Sequence, residues 1–379
     1  MTRLYKILCP ILVAFVAIWG ITSLGKLIQP KGDYVPFTLY SEVVHDFVSL
    51  DNSDDRGTQY YDYSGHSYTE SEFDSILPSF YARQLVMDGR LPDTICGVPV
   101  TQKSLEQQSF IFVSHPNTLN THTTPLYFLL ESMSKRVDLE MPSDVFRFTD
   151  NGIEFIDMER NEVDHEKSRL FSDVLKGKGV AFPIKTIAGN TTTRKPYDNG
   201  FLFLDNQNQL FQLKQTVGQP YLKQISLPKG IDLQYLFVTE YPDQKYLGFV
   251  VDNMGQFFAI TLPDYKLLKA ELPPAIMATE KMIVFGNPFY WTVIQSQSNG
   301  VQYTALDAKS LQQVGSHYFE TPRPRSFAYY ILPFQISFTA AEHEYFLPAV
   351  SSFSPIGLAV WCLLLSLYFV IRRRTNKTI

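Results

Sequence analysis

The sequence predicts a mainly β domain, either propeller-like or an antiparallel meander, with a smaller α+β region before it and a transmembrane helix on each side. Apolar strand pairs joined by Asp-Asn or Asn-Gly turns recur at intervals of about 45 to 55 residues, which is the repeat length of propeller blades. An uncharged apolar stretch lies near each end of the chain. The hydrophobic content of 45% is sufficient for the middle of the chain to bury a core.

The first apolar stretch predicts a transmembrane helix over residues 7–24, after a cytoplasmic segment over residues 1–6. Residues 7–24 carry no charge, and Arg3 and Lys6 precede them. As a helix the stretch would be about 27 Å long, close to the ~30 Å thickness of the hydrocarbon layer. A cleaved signal peptide is the alternative, although Gly20–Gly25 offers no clear cleavage site.

The second apolar stretch predicts a transmembrane helix over residues 351–371, followed by a basic tail over residues 372–379. Arg372, Arg373 and Arg374 begin that tail. Basic flanks stay on the cytoplasmic side of a membrane, so both termini are expected there. The expected location is therefore the inner (cytoplasmic) membrane, crossed twice, with the bulk of the chain in the periplasm.

Residues 25–143 are expected to form the α+β periplasmic region. Thr69 and Glu72 make a capping-box pattern that predicts a helix start, and Asp88-Gly89 predicts the end of the helical segment. The other local predictions are a hairpin at Tyr60–Tyr68, a shorter helix at residues 101–108, a buried strand at Phe110–Val113 and helical turns at Pro125–Ser132.

Residues 144–345 are expected to form the β-rich, repeat-like periplasmic domain. Its hairpins are predicted at Asn151-Gly152 and Asn299-Gly300, because Asn-Gly suits a tight turn between strands. Closed propeller and open meander stay as alternatives. Asp150, Asp205 and Asp252 follow apolar strands, and we interpret them as turn formers and not as calcium ligands.

No residue is assigned a catalytic, cofactor-binding or metal-binding role from the sequence. His115 and His122 share a polar loop, but no cysteine lies nearby to complete a typical zinc site. Nucleophile-elbow, phosphate-loop and dinucleotide-binding patterns are missing from the sequence. Cys96 is the lone cysteine outside the terminal segments and is interpreted as a small buried apolar residue.

Two further segments have the composition of a binding site. The basic residues of Arg194–Gly200 could hold an anionic group at a loop mouth, although a solvated loop is the favoured interpretation. Asn287–Trp291 is read either as a turn before a buried strand or as the aromatic wall of a pocket.

The charge distribution argues against nucleic acid as a partner. The whole chain has a formal net charge of −5. Its middle is more acidic than that, because the terminal segments contain Lys and Arg but no Asp or Glu. A negative surface repels phosphate backbones.

Several short segments of the sequence together resemble those of a known family. These segments are Phe80–Leu85, Asp88–Asp93, Pro125–Tyr127, Leu130–Ser134, Arg136–Pro142, Arg194–Asp198 and Tyr290–Val293. The chain resembles a family of uncharacterised, two-helix membrane-anchored envelope proteins of gut-type Gram-negative bacteria, often encoded near ABC-transporter genes. The resemblance implies an inner-membrane protein partner, such as ABC-transporter subunits, and transfers no site residue.

The expected function is that of a non-enzymatic, membrane-anchored periplasmic accessory or sensor protein of an inner-membrane complex. The alternatives are a structural envelope protein and a propeller-type periplasmic hydrolase or lyase. The expected partners are an inner-membrane protein and the lipid bilayer, contacted through the two helices, and no cofactor is expected.

Overall fold

The computed structural model describes residues 2–28, 35–53, 57–121, 123–134, 136–321, 326–340 and 346–375. They form two compact units. The smaller unit contains the N-terminal helix α1 (Thr2–Ile28) and the C-terminal elements from Glu320 onward. The larger unit contains residues 36–297 and 301–319 and holds the candidate site.

The larger unit begins with a four-stranded antiparallel sheet in sequential order. Its strands are β1 (Phe37–Tyr40), β2 (Phe47–Asp51), β3 (Gln59–Asp62) and β4 (Ser67–Tyr68). Strands β3 and β4 form the hairpin expected at Tyr60–Tyr68, and Gly65 has a φ of 98° in its turn. Glycine adopts that backbone conformation without the steric penalty of a side chain.

Short helices and strands follow this sheet. They are α2 (Glu70–Ile76), α3 (Ala82–Met87), β5 (Thr94–Ile95), β6 (Val98–Pro99), α4 (Gln102–Gln108), β7 (Phe110–Ser114) and α5 (Pro116–Asn120). The capping box is confirmed, because the Thr69 hydroxyl accepts from the Glu72 amide while the Glu72 carboxylate accepts from the Thr69 amide. Pro78 lies between α2 and α3, where proline interrupts helical hydrogen bonding.

A three-stranded sheet and one longer helix come next. Strands β8 (Asp144–Phe148) and β9 (Ile153–Asp157) form the expected hairpin around Asn151-Gly152, and β10 (Glu162–Asp164) pairs with β9. Helix α6 (His165–Gly177) is a correction, because residues from 144 onward were expected to form strands and turns alone. Asp164 caps it, and Ser168, Phe171 and Leu175 form its buried stripe.

Three larger antiparallel sheets complete this unit, and each contains four consecutive strands. The first sheet is β11 (Thr186–Gly189), β12 (Phe201–Leu204), β13 (Leu210–Thr216) and β14 (Gln219–Ile225). The second is β15 (Leu233–Val238), β16 (Tyr246–Asp252), β17 (Phe257–Thr261) and β18 (Leu267–Lys269). The third is β19 (Lys281–Gly286), β20 (Tyr290–Ser296), β21 (Gly300–Asp307) and β22 (Gln313–Glu320), with β7 added beside β19.

The addition of β7 ties the N-terminal region to the β-rich region. Phe110 pairs with Gly286 and Ser114 with Met282. Only one face of β7 is buried, since Ile111 and Val113 are exposed and the strand alternates. The pairing of β7 with β19 therefore joins a strand before residue 143 to the sheets that follow it.

The sheets pack on one another in series through three large apolar clusters. One cluster lies between the β8–β10 sheet with α6 and the β11–β14 sheet, and includes Phe155 and Phe203. The next joins β11–β14 to β15–β18, and the third joins β15–β18 to the β7, β19–β22 sheet around Phe249 and Trp291. Each cluster consists of inward-facing side chains of neighbouring sheets, whose burial stabilises the fold.

The series of sheets does not close. No apolar cluster of the described residues joins the β1–β4 sheet at one end to the β8–β10 sheet at the other. A propeller needs that contact to complete its ring, so the propeller-like interpretation is wrong. The prediction of a mainly β region of antiparallel meanders is confirmed.

Pro125–Ser132 does not form the helical turns that were expected. The segment is extended and makes single bridges, from Tyr127 to Phe146 and from Glu131 to Gln215. Its Leu129 and Leu130 are buried beneath neighbouring sheets. Tertiary packing here overrides a pattern that was ambiguous in sequence.

The smaller unit contains, besides α1, the short helix α7 (Phe327–Ile331), the hairpin of β23 (Phe334–Ala340) and β24 (Phe346–Phe353), and the C-terminal helix α8 (Pro355–Thr375). The indole nitrogen of Trp361 in α8 donates to the carbonyl of Ile331 at the end of α7. The sequence predicted helices in both terminal stretches, and helices are present.

The prediction that these two helices are transmembrane is wrong. A hydrocarbon layer of ~30 Å requires about 20 consecutive apolar residues. Within the described part of the chain, no helix combines that length with sufficient apolar character. The expected spans at 7–24 and 351–371, the two-pass inner-membrane location and the bilayer contact through two helices are therefore corrected.

Candidate binding site

A cleft of about 480 Å³ lies in the larger unit, beside the first sheet and the strands β7, β19 and β20. Most of its lining is apolar, and a few polar side chains interrupt it. The lining residues that matter below are Leu39, Glu42, Leu77, Ser79, Phe80, Ser109, Phe110, Ile111, Phe285 and Gly286. An apolar cleft with a few converging polar groups is the usual form of a small-molecule site.

The turn between β1 and β2 places Glu42 in the cleft. Ser41 organises this turn, because its hydroxyl accepts from the amides of Val43 and Val44 and donates to the carbonyl of Ile76. His45 closes the turn with a φ of 55°, and its amide donates to the Ser41 carbonyl. The side chain of Glu42 is thereby directed inward and is only 2% exposed.

The break between α2 and α3 places Ser79 opposite Glu42. The backbone amide of Ser79 donates to Oε1 of Glu42 at 2.7 Å. This amide is free to do so because Pro78 has ended the helical hydrogen-bond pattern before it. One carboxylate therefore joins the β1–β2 turn to the helical segment.

Aromatic rings form much of the cleft wall. The ring centroid of Phe285 lies 6.3 Å from that of Phe80 and 5.6 Å from that of Phe37. Gly286 allows the ring of Phe110 to lie directly against the strand, because a Cβ at this position would collide with that ring. Phe80 is 46% exposed, so this wall is open to solvent on one side.

The polar groups of the cleft are incompletely satisfied. Burial raises the pKa of the Glu42 carboxyl above its usual value, and the hydroxyl and amide of Ser79 act against that rise. Glu42 makes no ion pair with a lysine or arginine in the described structure. Among the described residues, the buried Oγ of Ser109 has no hydrogen-bond partner, and the buried Oγ of Ser79 lies near the Glu42 carboxylate but outside hydrogen-bond geometry. Buried polar groups normally have such partners.

Sequence reasoning missed this site. Glu42 lies in the region that was expected only to be α+β, and no motif marks it. Its partner Ser79 is 37 residues away in the chain. The only local signal was Pro78. Proline at this position indicates a break in the helix, but it does not indicate that the Ser79 amide becomes available to Glu42.

The aspartates that were interpreted as turn formers have that role. Oδ1 of Asp205 accepts from the amides of Gln207 and Gln209, and Oδ1 of Asp252 accepts in the same way from Met254 and Gln256. Each turn joins the second and third strands of its sheet. Asp150 lies in the exposed β8–β9 turn.

The Arg194–Gly200 loop is only partly solvated, because Arg194 is exposed whereas the side chain of Lys195 is buried. The ammonium of Lys195 is buried and lies 2.7 Å from Oδ1 of Asp198 and 2.7 Å from Oε1 of Glu240. Glu240 also accepts from the Asn199 amide and from the side chain of Asn190. This network joins the loop before β12 to the end of β15, and it neutralises Lys195 within the protein.

The remaining sequence candidates have different outcomes. His115 caps α5 through its backbone, and His122 lies outside the described residues. Asn287–Trp291 is a turn followed by a strand, as one interpretation expected: the Asn287 side chain accepts from two backbone amides and Trp291 is buried in the core. Cys96 is exposed, so its assignment as a buried residue is wrong.

Comparison with known proteins gives one family match. Residues 37–306 match the family model described as "Domain of unknown function (DUF4857)". No curated protein matches the chain.

Several solved structures show distant likeness. PorZ, a surface component of the type-IX secretion system of Porphyromonas gingivalis, is 11% identical over 83% of this chain and 37% of its own, with a TM-score of 0.23. Hydrazine synthase of Kuenenia stuttgartiensis is 10% identical over 58% of this chain and 55% of its own, with a TM-score of 0.27. The dihydro-heme d1 dehydrogenase NirN is 10% identical over 76% of this chain and 73% of its own, with a TM-score of 0.25. The chain thus spans well under two thirds of the first two, and scores this low carry no functional argument.

Proposed function

The chain belongs to the DUF4857 family, and that family is uncharacterised, as the sequence resemblance implied. We propose that the chain is a non-enzymatic accessory or sensor protein that binds a small molecule in the Glu42 cleft. Here the Glu42 cleft means the cavity lined by Glu42, Ser79, Phe80, Phe110 and Phe285. The observation that carries the proposal is the buried, unpaired carboxyl of Glu42 within an apolar cavity.

The energetics of the cleft support binding. Burying a carboxyl group without full compensation is unfavourable, and so is a buried hydroxyl without a partner. A ligand that supplies the missing hydrogen bonds would remove these penalties and would also cover the apolar walls. Covering apolar surface contributes about 25 cal/mol for each Å² removed from water.

Because the chain resembles proteins encoded near ABC-transporter genes, we propose an ABC transporter as the partner of this binding protein. An accessory protein that binds a small molecule could report its presence to a transporter subunit. Affinity purification of the full chain from its native host, followed by identification of the recovered proteins, tests this part of the proposal. Recovery of transporter subunits supports it, and their absence from repeated purifications would reject the transporter partner without affecting the cleft.

Binding in the cleft can be tested with the neutral fluorescent dye Nile red and the variant Phe80→Ala. Phe80 is half-exposed, so the change removes a wall of the cleft with little effect on folding. We expect the dye to bind the native chain with saturation, and the variant to bind about tenfold more weakly, which corresponds to about 1.4 kcal/mol.

The matched control is Met254→Ala, which shortens an apolar side chain that is 72% exposed in the β16–β17 turn. This variant should bind Nile red as the native chain does. Equal weakening by both changes, or the lack of saturable binding to the native chain, would reject the cleft as a binding site.

A further inference from the structure

We infer that the Glu42 cleft selects organic cations, specifically a primary or secondary ammonium group carried on an apolar body. This inference rests on the proposed function and names its ligand class. It depends on the charge balance of the cleft, on the hydrogen-bond acceptors that converge there, and on how the same fold neutralises its other buried carboxylates.

The cleft has anionic groups and no matching cation. Glu42 and Glu106 are its ionisable carboxylates, and no lysine, arginine or histidine belongs to the lining in the described structure. Oε1 of Glu42 accepts from the Ser79 amide. The Ser79 hydroxyl, the amide of Glu42 itself and His45 in the same turn also favour the charged form. None of them is a lysine or arginine, and within the described residues no such side chain pairs with the charge, although a buried charge is stable only when it is paired.

The polar groups around Glu42 suit an ammonium donor. Ser79 Oγ and Ser109 Oγ can each accept a hydrogen bond, and neither has a partner at suitable geometry. A primary ammonium carries three N–H donors and a secondary ammonium carries two, so either can reach the carboxylate and at least one hydroxyl. An anionic ligand would instead be repelled by Glu42.

The walls of the cleft favour the same ligand. Phe80, Phe110 and Phe285 line it, and the face of an aromatic ring attracts a nearby cation. The same rings and the neighbouring Leu39 and Leu77 would cover the apolar body of the ligand. A small inorganic cation would leave most of this surface uncovered.

The buried ion network around Lys195 shows how this protein stabilises carboxylates that are buried elsewhere. Asp198 and Glu240 are 2% and 1% exposed at their side chains, and each lies 2.7 Å from the ammonium of Lys195. Glu42 is buried to the same degree but lacks such a lysine. We therefore assign to the ligand ammonium the place at Glu42 that Lys195 takes at Glu240.

The test uses three probes that share one apolar body: phenylpropylamine, phenylpropanol and phenylpropionate. Each is added to the full chain at neutral pH in competition with Nile red. We expect the amine to displace the dye at concentrations at least tenfold lower than the alcohol, and phenylpropionate to be the weakest. Substitution Glu42→Gln keeps an oxygen acceptor for the Ser79 amide and removes the charge, so the folded structure is retained.

Glu42→Gln should weaken binding of phenylpropylamine at least tenfold and leave phenylpropanol nearly unchanged. The control Glu159→Gln removes one carboxylate from the exposed β9–β10 turn and should alter neither probe. If Nile red binds in the cleft but the alcohol competes as well as the amine, or if Glu42→Gln weakens both equally, the inference is overturned and the binding function stands. If Nile red itself fails to bind, the proposed function fails with it.

Discussion

The amide of Ser79 donates a 2.7 Å hydrogen bond to the carboxylate of Glu42, and this contact joins two segments that are 37 residues apart. The contact fixes the carboxylate in a cavity where, among the described residues, no lysine or arginine pairs with it. Both the proposed binding activity and the expected behaviour of the protein with pH depend on this relationship.

The first prediction concerns stability and pH. Because burial raises the pKa of Glu42 in the folded state, the folded chain holds this proton more tightly than the unfolded chain. The stabilising contribution of the proton is present below the usual glutamate pKa and is lost as the pH rises through the higher folded value. Glu42→Gln should therefore be more stable than the native chain at neutral pH, by about 1–3 kcal/mol, the cost of an uncompensated buried group.

This difference should shrink toward zero as the pH falls below the usual glutamate pKa, where Glu42 is protonated in both the folded and the unfolded state. Urea unfolding at several pH values measures it, and Glu159→Gln provides the control for removal of an exposed carboxylate. A Glu42→Gln variant that is less stable than the native chain at neutral pH would show that Glu42 is compensated by contacts that this account omits.

The second prediction concerns the Lys195 network. Lys195→Met removes the cation and leaves Asp198 and Glu240 buried with uncompensated charge. We expect the free energy of unfolding to fall by about 3–5 kcal/mol, as for other buried ion pairs that lose one partner. Urea unfolding is the measurement. Lys229→Met, at an exposed site, is the control and should change the free energy of unfolding by less than about 0.5 kcal/mol. Similar losses in both variants would show that the Lys195 network does not specifically stabilise the fold.

The third prediction concerns the aspartate turns. Asp252→Ala deprives the amides of Met254 and Gln256 of their acceptor. The expected loss is about 1–3 kcal/mol, because these donors are partly shielded from water. Asp150→Ala, in an exposed turn, should have little effect. Calorimetry with and without added calcium tells whether the Asp252 carboxylate forms the turn or binds calcium. A melting temperature of the native chain that rises with calcium would identify Asp252 as a ligand and contradict its assignment as a turn former.

Features set by neighbouring residues could be predicted from the sequence. The capping box at Thr69 and Glu72, the helix end at Gly89 and the hairpin at Asn151-Gly152 each depend on a few consecutive residues, and each was found. Helix α6 was missed although Asp164 and the spacing of Phe171 and Leu175 indicate it, because the surrounding strand-and-turn pattern was extended over it.

Features set by distant residues could not be predicted. The pairing of β7 with β19, the burial of Lys195 against Glu240 and the meeting of Glu42 with Ser79 all join separated segments. The composition also gave a wrong prediction for Lys195: the basic residues suggested a loop open to solvent or anions, whereas the neighbouring Asp198 and the distant Glu240 neutralise this lysine. The terminal apolar stretches indicated helices correctly, but within the described residues no helix is both long and apolar enough to cross a membrane.

The central claim is that the Glu42 cleft binds a small molecule, and the most direct measurement is nuclear magnetic resonance of the isotope-labelled chain during titration with phenylpropylamine. The account predicts saturable shifts of the Ser79 and Gly286 amide signals, because both residues line the cleft, and no shifts in the Asp252 turn. In the Glu42→Gln variant these shifts should need a much higher amine concentration. Shifts that do not saturate, or that are centred on residues away from the cleft, would contradict the account.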